Sequence, residues 1–147
     1  MANKYTPENI AKLFFHSLSQ LQFPTCWNLF TNKTQKEFLD WTLQKIYQQH
    51  NRAASEAKLG PPEVKFMFEI NDRSLGQIFW KRFIGKSMAQ QFLNYAYFDL
   101  KEIQGKKAIV NARFEFPDGR KANKEIIMVN ERGGWKFAYL ESGFPFF

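Results

Sequence analysis

Asp99 lies two residues after Tyr97 and four after Tyr95 in the stretch YAYFD. On an extended strand alternate side chains share a face, so this spacing puts one carboxylate and two phenols on the same side. A carboxylate that can take a proton, beside hydroxyls that can donate hydrogen bonds, is suitable equipment for acid–base chemistry. Asp99 and Tyr97 are therefore the catalytic candidates. The competing reading is an exposed carboxylate near a hairpin and two packed tyrosines.

A second constellation is Asn111, Arg113 and Glu125, which converge once the strands around FPDGR are paired. With Tyr95, Trp135 and Tyr139 they offer an aromatic wall and a few polar groups, the usual make-up of a small-molecule site. A third lies between Arg73 and Phe98, where Arg73, Lys81, Arg82 and Lys86 meet no acid and are followed by Phe92, Tyr95, Tyr97 and Phe98. Cations beside rings are how single-stranded nucleic acids are held, whereas packed rings with solvated cations would bind nothing. Nucleic acid is the weaker of these readings, because strand aromatics usually pack.

Other residues point away from chemistry. His16 falls off the apolar stripe of its helix, and His50 shares a helical face with Leu43 and Ile46. With Cys26 they give no metal-ligand spacing, and no cofactor is expected. Cys26 beside Trp27 reads as a small buried group without an activating base. ERGG lacks the lysine and the strand-to-helix setting of a phosphate loop, and strand-like sequence on both sides makes it a hairpin turn.

The elements that position these residues change character along the chain. Thr6, Pro7 and Glu8 open a helix whose stripe is Ile10, Leu13, Phe14, Ser17, Leu18 and Leu21, stopping near Gln22 before Pro24. TCWNLF is a short second helix or a turn. Thr34 and Glu37 have capping-box spacing and predict a third helix from Lys36 to about Ala57, ended by Gly60, Pro61 and Pro62. Residues 62–71 alternate like a strand at Val64, Phe66, Phe68 and Ile70 yet begin like a helix, which is the favoured reading. Ser74 caps a further helix with Leu75, Ile78, Phe79 and Phe83 on one face and Gly85 as its stop.

From residue 90 the period is two. QQFLNYAYFDLKEI, KKAIVNARFEF, RKANKEIIMVNE and WKFAYLE read as four strands with short connections, an antiparallel meander. Pro117 and Gly119 suit a three-residue loop that opposes Phe116 to Arg120, Val110 to Ile126, Ala108 to Met128 and Glu115 to Lys121. If the ERGG turn keeps odd residues with odd, one face carries Ala108, Val110, Ala112, Phe114, Ile126, Met128, Ala138 and Leu140. The other carries Ile109, Ile127, Val129, Trp135, Phe137 and Tyr139 at one end and Asn111, Arg113, Glu115, Asn123, Glu125 and Glu141 at the other. Both faces are then apolar enough to need cover, and a second copy on the sheet face is the simplest cover. After Gly143, Pro145 breaks the strand and the terminal phenylalanines fold back onto the domain or onto the partner.

Composition agrees with one folded domain. A chain of 147 residues buries roughly 68–70% of its unfolded surface, and with 17 phenylalanines its core is made of rings. The net charge of +7 is spread, with seven cations and four anions in residues 1–60 and fourteen and ten in the rest, so there is no basic tail. One cysteine, no signal-peptide pattern and no long apolar run predict a soluble cytoplasmic protein without a membrane span.

Helices followed by a meander closing in VNERGGWKF, with AKLFFHSLSQLQFPTCWNLFT as opening helices and IIMVNERGGWKFAYLES as closing hairpin, resemble the nuclear transport factor 2-like superfamily. The resemblance covers most of the chain; residues 34–86 depart from it, being more helical than small members. It implies an α+β cone, helices at about 6–86 packed on a curved sheet at about 90–142, a pocket between them, and homodimers formed through the sheet. It also implies a mixture of enzymes such as ketosteroid isomerase, ligand binders and scaffolds, among which fold alone cannot choose. The expectation is a single domain over 1–147 that binds a small molecule or serves as a dimeric scaffold. The first alternative is an isomerase or lyase using Asp99 and Tyr97, and the second a polyanion binder through residues 73–98.

Overall fold

The computed structural model describes residues 5–58, 60–70, 80 and 89–144. The expected helix on Ser74, Leu75, Ile78, Phe79, Phe83 and Gly85 lies outside the described residues; Trp80 within it is helical and buried.

Helix α1 spans Pro7–Ser19, with Thr6 accepting from the Asn9 amide at 3.4 Å and proline in its first turn. Its buried face is Ile10, Ala11, Phe14, Phe15 and Leu18, while Leu13 and Leu21 are exposed. The stripe is therefore turned from the expected one, because α1 packs against α2, the helix before the sheet and every strand, and a helix so enclosed buries a broader arc. Leu21 ends α1 in the left-handed region at φ +59°, with the Gln22 amide on the Ser17 carbonyl at 2.9 Å and the Leu21 amide on that of Leu18 at 3.1 Å. That pair of bonds is a Schellman stop.

Helix α2 is Phe23–Leu29 and α3 is Asn32–Ala57. The cap of α3 is Thr31 rather than Thr34: its Oγ1 accepts from the Thr34 amide at 3.1 Å, and its carbonyl from the Gln35 amide at 2.9 Å. Helix α4, Pro61–Glu69, resolves the ambiguous stretch as helical, with Val64 and Phe68 inward and Phe66 outward. The spacing of four between the buried pair outweighs the alternation.

The sheet is a meander in the order β1-β2-β3-β4, formed by Ala96–Gln104, Lys107–Glu115, Lys121–Glu131 and Gly134–Phe137. The fold is thus α+β. The loop at Pro117–Gly119 closes with the Phe116 amide on the Arg120 carbonyl at 2.9 Å, and Val110 faces Ile126, Ala108 Met128 and Glu115 Lys121, the register read from the sequence.

Three strand expectations need correction. Residues 89–95 form helix α5, Ala89–Tyr95, not the start of β1. Phe92 is buried there while Gln90, Gln91 and Asn94 face solvent, so one ring docks and the polar residues around it point away. The final turn is a two-residue loop, Arg132 at φ +51° and Gly133 at φ +82°, which pairs Met128 with Phe137, Val129 with Lys136 and Asn130 with Trp135. Two left-handed residues make a type I′ hairpin, and an even loop sets odd residues on the face of even ones. Phe137 therefore joins the core instead of the outer face.

The third correction is that β4 stops at Phe137. The Ala138 amide still reaches the Ile127 carbonyl at 3.0 Å, but the chain then turns, and the Ser142 hydroxyl accepts from the Ile127 amide at 2.8 Å while donating to the Ala138 carbonyl at 2.7 Å. Phe144 folds back and stacks on Tyr139, centroids 5.0 Å apart. Residues 145–147, the rest of the expected docking tail, lie outside the described residues.

Rings fill the space between helices and sheet. Phe15 stacks on Phe92 at 4.2 Å, Phe14 meets Phe137 edge-on at 4.8 Å, and Phe23 and Phe30 stack on Trp80 at 5.5 and 5.9 Å. Offset and edge-on pairs of this kind add about 0.5–1.5 kcal/mol each beyond the area they bury. No helix among the described residues is long and apolar enough to cross a membrane.

Candidate functional site

The outer face of the sheet, away from α1, collects most of the residues singled out for chemistry. Strand pairing sets Tyr97 beside Arg113 and Asn123, and in the next row Asp99 beside Asn111 and Glu125. Arg113 Nε donates to Asp99 Oδ2 at 2.5 Å, and its guanidinium lies 5.8 Å from the Tyr97 ring centre. Lys101 reaches across β2 to Glu125. These charges satisfy one another in water, where solvent screening leaves such pairs little net effect on stability.

Asp99 and Tyr97, the acid–base candidates, stand on the open outer face of the sheet. The Asp99 side chain is 53% exposed and already engaged by Arg113, and Tyr97 is 56% exposed. A general base works from a position that holds substrate against it and excludes water. Asp99 has an arginine in that position and solvent around it.

The ligand-binding candidates divide. Asn111, Arg113 and Glu125 sit together on the outer face as the register required. Tyr95 ends α5 and packs on Phe116, ring centres 5.4 Å apart. Trp135 pairs with Asn130, out of phase with the outer residues, and packs against the core. Tyr139 is wholly buried between Phe38 and Phe144 at 5.3 and 5.0 Å, and burial raises its phenol pKa. The aromatic wall and the polar trio thus stand on opposite sides of the sheet.

Ile109, Ile127 and Val129 form the other end of the outer face, half-buried, with Lys136 opposite Val129. Burial, with help from the charge of Arg132, lowers the pKa of Lys136. Of the cationic stretch, Arg73, Lys81, Arg82 and Lys86 lie outside the described residues, while Phe92 is core and Phe98 half-buried. His16 is exposed, on an open groove of about 480 Å³ shared with Tyr5, Ile10, Leu13 and Leu93. The His50 side chain lies outside the described part, and no cluster of three metal-ligating side chains occurs among the described residues.

Cys26 is buried, its Sγ 3.7 Å from the Phe14 carbonyl, and burial pushes its thiol pKa up from 9.0 to about 12. Below pH 9 the thiol is protonated folded or unfolded. Between pH 9 and 12 only the unfolded chain ionises there, so this contribution to stability falls as pH rises through that window. The urea midpoint of the native sequence should drop between pH 8 and pH 10.5 by more than that of Cys26→Ala. At pH 8 thiol reagents should label Cys26 only as fast as the chain unfolds; immediate labelling would contradict this burial.

Arg132 was missed from the sequence, where ERGG read only as a hairpin turn between two strands. Its guanidinium donates to the carbonyls of Phe30 at 2.6 Å and Asn28 at 3.2 Å, to Glu131 at 3.0 Å and to Asn32 Oδ1. Glu131 in turn accepts from the Asn32 amide at the start of α3. The hairpin tip thereby clasps the α2–α3 junction. The signal was present: a cation beside an acid next to a glycine has polar groups to offer a neighbouring helix end.

No family model, curated protein or solved structure matches this chain.

Proposed function

We propose that this chain is a non-enzymatic scaffold domain of the nuclear transport factor 2-like kind, acting in the cytoplasm as a homodimer joined through its sheet. The observation that carries the reading is the filled interior. In that superfamily a pocket lies between helices and sheet, and here that position holds Phe14, Phe15, Phe92, Phe137, Tyr139 and Phe144 in mutual contact. A domain that spends its interior on packing has its surface left for function, and the sheet presents both a charged end and an apolar end.

The single buried cysteine suits a reducing compartment. Light scattering at tens of micromolar should return twice the chain mass of 17.4 kDa. A single-chain mass over that range would refute the scaffold dimer. Saturable binding of a steroid-like or other small apolar ligand by the native chain would restore the pocket reading.

A further inference from the structure

The two edges of the sheet differ. On the β4 side the Thr31 amide donates to the Phe137 carbonyl at 3.1 Å, so the α2–α3 junction covers that edge. On the other side β1 pairs only with β2 among the described residues, and from Asp99 to Gln104 it is exposed throughout. Leu100 and Ile103, at 42% and 48% exposure, are large apolar residues on this open edge. An exposed edge of this length is a template for another strand.

A bulge decides which strand fits. The ladder jumps from Leu100 opposite Val110 to Glu102 opposite Ile109, leaving Lys101 as the extra residue. Before the bulge Phe98 and Leu100 face the core side with Ala112 and Val110; after it Ile103 does so with Ala108. Tyr97 and Asp99 before it, and Glu102 and Gln104 after it, face outward; Lys101 also faces outward, as its bond to Glu125 requires.

We infer that β1 pairs antiparallel with β1 of a second copy, about a two-fold axis between Lys101 and Glu102, joining the two sheets edge to edge. In an unbroken strand, self-pairing about a point between two residues would set opposite faces against each other. The bulge shifts the phase by one and makes such pairing consistent. Two registers across the bulge centre on adjacent positions. One opposes Asp99 to Glu102 of the second copy, setting like charges together twice, and puts Leu100 against Lys101 from opposite faces. The other opposes Leu100 to Ile103, Asp99 to Gln104 and Lys101 to Glu102, each twice by symmetry.

The second register buries the two exposed apolar residues against each other and sets opposite charges at the axis. A lone edge lysine and a bulge are common guards against strand addition. Here the acid beside the lysine turns the guard into a selector for a copy of the same edge. This inference rests on the scaffold reading, since it supplies the contact by which the dimer forms.

The edge contact alone is smaller than a standard interface of roughly 1,600 Å², so masses are to be read from about 10 μM upward. Native chain should show the doubled mass. K101E and E102K, which place like charges at the axis, should each weaken association at least tenfold, while an equimolar mixture of the two recovers it, as does the double exchange K101E/E102K. Glu125→Gln, which removes the in-chain partner of Lys101, and Ile127→Lys, on the outer face, should keep the doubled mass. Thermal melting of each variant checks that it is folded, and amide exchange at residues 100–103 of the native chain should slow as concentration rises.

A doubled mass that survives both single exchanges but is lost in Ile127→Lys overturns the edge contact and leaves a dimer through the sheet face. Failure of the mixture to recover association overturns the register. A native chain of single mass at every concentration overturns both the contact and the scaffold reading.

Discussion

Phe15→Ala is expected to lower the melting temperature by on the order of 10 °C, the largest effect of any single truncation considered. The side chain is fully buried at the centre of the ring cluster, meeting Phe92 at 4.2 Å, Phe14 at 5.3 Å, Phe137 at 5.9 Å, Phe98 at 6.0 Å and Phe144 at 6.5 Å. Its neighbours come from α1, α5, β1, β4 and the C-terminal turn, so none can move into the gap without dragging its own element. Removing a buried Phe costs about 3–5 kcal/mol, and in a domain of this size each kcal/mol shifts melting by about 2–4 °C. A fall of under about 3 °C would mean that the cluster is loosely packed.

The same variant tests the filled interior. A dry cavity lined by rings should take up a small apolar molecule. Benzene should therefore raise the melting temperature of Phe15→Ala and leave the native chain unchanged. Stabilisation of the native chain by benzene would show that the interior already holds a usable space, and the pocket reading would regain ground over the scaffold.

What could be read in the residues themselves was local. Pro117 and Gly119 dictate their loop, the loop dictates register, and register alone brings Asn111, Arg113 and Glu125 together with Asp99 and Tyr97 nearby. Misreadings arose where one residue's choice depends on distant packing. QQFLNY has too few apolar positions to separate period two from period 3.6, and the docking of Phe92 on Phe15 and Phe114 decides for helix. The ERGG turn hung on a single residue of loop length, and that residue carried Phe137 across the sheet. Tyr139 followed because β4 ends early, when the Ser142 hydroxyl replaces a strand partner at Ile127. Whether rings leave a pocket or fill it depends on all of them at once, and no spacing records it.

Arg132→Ala should destabilise the fold by about 2 kcal/mol, a melting shift of roughly 4–8 °C. Hydrogen bonds from a charged donor contribute about 1.5–3 kcal/mol each when sheltered, and the Arg132 side chain is one-third exposed, so the sum for its contacts to Phe30, Asn28 and Glu131 is scaled down. Alanine keeps the left-handed conformation, φ +51°, and so isolates the loss of contacts. Arg132→Gly loses the same contacts but relieves about 1 kcal/mol of left-handed strain, and should be more stable than Arg132→Ala by about that amount. Arg132→Lys should fall between native and alanine, since an ammonium cannot span two carbonyls as the planar fork does. Equal melting of native and alanine variants would show that the hairpin is not clasped to the α2–α3 junction. If glycine were no better than alanine, the turn would carry no strain. Because the same junction covers the β4 edge through Thr31 and Phe137, Arg132→Ala should also speed amide exchange at Thr31 while leaving self-association through β1 intact, which separates the guarded edge of the sheet from the one left to pair.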